Sequence, residues 1–144
     1  MTRIFALLIL FLSGPLFAQE AEDVPQLDIR AADGLTVDDF HWQNRLVLVF
    51  ADSEFDPRFT EQMDLLTALP HELIERDVVV IADTDPSAMS ALRTAFRPRG
   101  FMLLVIGKDG SILQRKPFPW DVREISAAID KTPIRQQELS APRE

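Results

Sequence analysis

The chain contains no cysteine. Disulfide exchange needs a thiolate to attack a disulfide sulfur, so the chain acting alone is no dithiol enzyme. The same absence removes thiolate metal sites, and the two histidines, His41 and His71, stand far apart in sequence. With no His-x-x-x-His pair and no Asp-rich calcium loop, there is no metal-site signature, and no cofactor is expected. A Gly-x-Ser-x-Gly elbow is also missing, which leaves Ser53 without the context of a hydrolase nucleophile. The net charge of −8 opposes a phosphate backbone or an anionic membrane surface, and no cluster of basic residues with interleaved aromatics is large enough to offset it. Neither nucleic acid nor membrane is an expected partner of the mature chain. Internal repeats and low-complexity tracts are absent as well.

The chain opens with a targeting pattern. Arg3 supplies a short positive region, Ile4 to Leu12 form an apolar run, and Ser13-Gly14-Pro15 break it before Leu16-Phe17-Ala18. This reads as a Sec signal peptide over residues 1–18, cut after Ala18, with periplasmic or secreted localisation as the expectation. The competing reading, a retained membrane anchor, suffers from the brevity of the run, because a span takes about 20 apolar residues. The stretch beyond residue 18 suits one domain large enough to fold without a staple.

Residues 19–39 form an acidic leader, with Glu20, Glu22 and Asp23 near Pro25. Leu46 to Ala51 then runs almost unbroken apolar, as expected of a strand covered on both faces. Asp56-Pro57 opens a helix, the aspartate as N-cap and the proline in the first turn. Phe59, Met63 and Leu66 share its inner face, Pro70 limits it, and Leu73-Ile74 make a short second piece. Val78 to Ala82 reads as a second buried strand. Asp85-Pro86 opens another helix, with Met89, Leu92 and Phe96 on one face. Phe101 to Ile106 is a third strand. Gly107-Lys108-Asp109-Gly110 turns it into a return strand, Ser111 to Lys116. Asp121 caps a last helix carrying Val122, Ile125 and Ile129, and residues 134–144 read as a polar tail. Met63, Met89 and Met102 read as core, and Phe40 and Trp42 as packing against the sheet edge. Strands joined through helices imply parallel pairing, and the Asp-Gly hairpin adds an antiparallel strand.

This β-α-β-α-β-β-α order resembles the thioredoxin core. Both diagnostic features of thioredoxins are missing, since Asp52 to Arg58 stands where the cysteine pair belongs and Phe101-Met102 where the proline would stand. A closer resemblance rests on Trp42 to Phe50, Asp56-Pro57-Arg58 with Gln62, Gly100-Phe101, Ile106 to Gly110 and Ile129 to Arg135. Together these resemble the thioredoxin-like domain of unknown function 4174 family, which has small exported bacterial members. The same family also occurs as a module in extracellular sushi-repeat and coiled-coil-domain-containing proteins. The resemblance implies an α/β, thioredoxin-like fold over residues 40–133, a mixed four-stranded sheet with helices on both faces. It implies no activity.

In that fold the loops after the first strand and before the third lie side by side. They would gather Asp52, Ser53, Asp56 and Arg58 with Arg97 and Arg99, facing the N-terminus of the helix that starts at Pro57. Three readings are open. Asp56 and Arg58 are structural; or the edge binds a small anion, a peptide or a protein; or paired carboxylates such as Asp52 and Asp56 catalyse a small-molecule reaction. The sequence favours a redox-inactive binding module with a periplasmic or extracellular partner, with an enzyme built on Asp and Arg residues as the alternative.

Overall fold

The computed structural model describes residues 25–141, so the signal-peptide segment lies outside the described residues. Five strands form one mixed sheet in the order β1-β3-β2-β4-β5. Their ranges are β1 Ile29–Ala31, β2 Arg45–Phe50, β3 Val78–Asp83, β4 Met102–Ile106 and β5 Ile112–Lys116. β2 pairs parallel with β3 and antiparallel with β4, and β5 returns antiparallel on β4. The unbroken apolar run of β2 reflects this central place, since all six of its residues are buried.

Helices α1 (Pro57–Ala68), α2 (Pro70–Ile74) and α4 (Val122–Asp130) cover one face, and α3 (Ala91–Phe96) lies on the other. The strand period of two divides the core accordingly. Val47, Val49, Leu103 and Val105 pack with Leu66, Leu73, Ile125 and Ile129. Leu46, Leu48, Phe50, Leu104 and Ile106 pack with Leu92 and with Phe40, which sits in a 3-10 turn over Val37–Phe40.

The sheet thus has five strands where four were expected. The additional strand, β1, pairs parallel with β3 and arises within the leader. Its three side chains are exposed, so it carries no hydrophobic alternation that a sequence could display. Main-chain bonding to the free edge of β3 makes it, including Val80 N–H to the Asp28 carbonyl at 2.9 Å.

The helix expected from Pro86 is divided. A 3-10 turn covers Pro86–Ala88, Met89 takes the left-handed conformation at φ 48°, and α3 starts afresh under a Ser90 cap. Met89 is consequently exposed and not core. Trp42 also departs from expectation. With φ 62° it leaves the sheet edge, stacks on His41 at 5.2 Å and is mostly exposed. The segment read as a polar tail contains helix α5, Pro133–Ser140, which buries none of its residues. Its Glu138 accepts from Lys108, Arg45 and Arg135, so ionic contacts hold it.

Candidate functional site

The C-terminal end of β2 lies beside the start of β4, because Phe50 pairs with Met102. This register brings the loop of residues 51–56 against the loop of residues 97–101. Asp56 caps α1 by accepting from the Arg58 N–H at 2.9 Å, as the Asp-Pro step implies. The Arg58 side chain folds back to the same carboxylate at 2.8 Å. Its guanidinium also lies 5.6 Å from the centre of the Phe101 ring. A side chain on Gly100, at φ 65°, would come within 3.7 Å of that guanidinium, so the two loops are in contact.

Asp56 and Arg58 satisfy each other. Hydrogen bonds from the Arg58 side chain and backbone hold the Asp56 carboxyl below its ordinary range, which makes it an ionised acceptor. Asp56 is thereby unsuited to general acid work, and its charge fills the anion position at the α1 N-terminus. The Ser53 hydroxyl oxygen accepts from the Phe55 N–H at 3.1 Å, a local turn contact. Asp52 is exposed, with one oxygen 3.9 Å from Arg93.

Arg93 is a site residue that sequence reasoning did not single out. It reaches from α3 to donate to the Ala51 carbonyl at 2.9 Å and to the Asp83 carboxylate at 2.8 Å. Asp83 is buried and also accepts from the Ser90 hydroxyl at 2.5 Å. These bonds join the ends of β2 and β3 directly behind the Asp52 loop and position it. Ser90 caps α3, yet nothing local in the sequence announces that Arg93 spans to Ala51.

Arg97 and Arg99 lie together in the second loop, both exposed and without an ion pair among the described residues. Arg97 ends α3 in the left-handed conformation, φ 48°. A third loop, Pro117 to Trp120, completes this end and was not expected. Gln62, fully buried on α1, pins it by donating to the Trp120 carbonyl and accepting from the Trp120 N–H. Two aromatics stand out into solvent here, Phe55 at 82% exposure and Phe118 at 53%. Beside Phe55 an open groove follows α1 past Pro57, Glu61 and Leu65. Among the described residues no three His, Asp or Glu side chains gather to hold a metal ion. No described helix is long and apolar enough to cross a membrane.

A mixed sheet of this order, with helices on both faces and a loop edge at the end of β2, defines a thioredoxin-like α/β protein. Solved structures agree on the fold. The reduced 2-Cys peroxiredoxin of Plasmodium vivax matches with a TM-score of 0.57 at 12% identity, covering 73% of this chain and 85% of that one. Chloroplastic thioredoxin z matches at 0.56 and 18%, covering 76% and 98%. Thioredoxin-2 of the malaria parasite matches at 0.51 and 17%, covering 76% and 99%. No curated protein matches the chain. The chain belongs to the family described as domain of unknown function DUF4174, whose model matches residues 36–138.

Proposed function

We propose that the protein is an exported, redox-inactive binding module, which takes a protein or peptide segment at the end of the sheet where thioredoxins keep their cysteines. One observation carries this reading. Two exposed arginines, Arg97 and Arg99, stand without ionic partners among the described residues, in a loop that the Arg58–Phe101 contact joins to the loop carrying the exposed Phe55. Cations able to pair and an apolar side chain free to insert are the ingredients of a recognition surface. A small anion is a poorer ligand here, because the Asp56 carboxylate already occupies the helix terminus. The signal-peptide pattern over residues 1–18 favours a periplasmic or extracellular setting.

Fluorescence polarisation against a mixed-charge peptide library tests the reading. Binding that weakens in Arg97→Ala/Arg99→Ala, with unchanged melting temperature, is the expected result. Binding indifferent to both loops would move the site elsewhere. Processing after Ala18, checked by N-terminal sequencing of the expressed full chain, tests export. In an insulin-reduction assay the isolated chain should give no turnover above background, because it has no thiol; turnover would overturn the redox-inactive reading.

A further inference from the structure

The sheet ends at β5, whose outer edge pairs with no strand among the described residues. We infer that this edge accepts an extended segment of another protein as an added strand, and that the segment alternates acidic with apolar side chains. The inference rests on the binding-module reading and specifies the chemistry of its partner.

The alternation comes from the two unlike faces of β5. On the α3 face, Arg115 lies with its Nη1 3.2 Å from the Phe96 carbonyl and 3.3 Å from the Met102 sulfur. Arg97 is the next residue after Phe96, and Arg99 stands just beyond it across Pro98. All three arginines are exposed, and none makes an ion pair among the described residues. On the α4 face, Gln114 lines a groove of about 530 Å³ between β5 and α4. Leu113, Trp120, Ala127 and Ala128 give it an apolar wall, and the Lys116 ammonium sits 4.7 Å over the Trp120 ring.

An added strand sends successive side chains to opposite faces. One set would meet the three arginines and the other would enter the groove. Charge complementarity fixes the sign of the first set. Cations at the opposite end of the sheet, Arg45, Arg76, Lys108 and Arg135, are all ion-paired, whereas these three are not. A bare basic edge also serves to repel other strands, as Arg115, Lys116 and Pro117 would. That purpose does not call for the apolar groove running alongside.

The test titrates the full chain with a synthetic peptide of alternating Glu and Val, read by polarisation and by amide hydrogen exchange. Expected are saturable binding, slowed exchange at residues 112–116 and loss of binding when alternate peptide amides are N-methylated. Arg97→Ala/Arg99→Ala should weaken binding about tenfold at low salt. Equal binding of a Lys–Val peptide, or of Glu and Val in two blocks, overturns the inference but leaves the binding module standing. So does protection confined to residues 52–58. No binding by any of these peptides overturns it as well, while the library experiment judges the broader reading separately. Self-association that slows exchange at residues 112–116 without any peptide would assign the edge to a second copy, and that too overturns it.

Discussion

Arg76 grips Asp130 with two parallel hydrogen bonds, Nε to one carboxylate oxygen at 2.9 Å and Nη2 to the other at 2.7 Å. The pair ties the turn before β3 to the end of α4. It is one corner of an ionic network that continues through Arg135 to Glu138 on α5.

This network makes the docking of α5 sensitive to acid. Hydrogen bonding from Arg76 holds the Asp130 carboxyl below its ordinary value of 3.8. Burial pushes Glu138 up, but hydrogen bonds from Lys108, Arg135 and Arg45 outweigh it and set the group below 4.5. Carboxyls depressed in the folded state contribute stability that is complete above their unfolded values and lost as pH falls through the folded ones. Melting temperature should therefore hold steady down to about pH 5 and decline below it. Glu138→Gln should reduce that decline and speed amide exchange in residues 134–140 at neutral pH. The stability loss should be about 1 kcal/mol, since both carboxylates are partly solvated. Unchanged exchange in α5 would show that the ionic contacts do not hold it.

Gln62 controls the third loop. Gln62→Leu keeps most of the volume but strands the Trp120 N–H and carbonyl, both partnered by the native amide. A loss of about 2 kcal/mol in urea unfolding is expected, from two part-buried groups left unpaired. Exchange should quicken first at residues 117–121. A loss below the error of the extrapolation would mean that water replaces the amide without cost.

Ser126 offers the opposite case. Its hydroxyl is buried in α4 without a partner among the described residues. Ser126→Ala removes a desolvated group and improves helix propensity, so the variant should be more stable, by about 1 kcal/mol. Thermal melting checks this, and a destabilised variant would reveal a bound water or a partner in solution.

Elements with their own local signal were legible in the sequence. The apolar runs of β2, β3 and β4, the Asp-Gly hairpin and the Asp-Pro start of α1 all reflect chemistry within a few residues of one another. The adjacency of Arg58 and Gly100 came from topology. Features made by distant partners were not legible. β1 exists because β3 has an edge to fill, and its exposed side chains carry no pattern. α5 buries no residue, so its segment reads as polar tail until Arg45 and Lys108 are placed beneath Glu138. The Pro86 helix failed as one unit because Ser90 is drawn to buried Asp83, which restarts the helix at a new cap. At the candidate site the short-range pair Asp56–Arg58 could be read directly. Arg93 and the Trp120 loop could not, since each depends on a contact across the fold.

Arg97 stands where a helix end ordinarily takes glycine, at φ 48°. A side chain there costs about 1 kcal/mol against glycine in the same conformation. Arg97→Gly should accordingly raise the melting temperature while lowering affinity for an acidic ligand. Such an outcome would mean that tightening the scaffold and keeping its grip make opposing demands on a single backbone position, so that a screen for heat tolerance alone would select molecules that hold on less well.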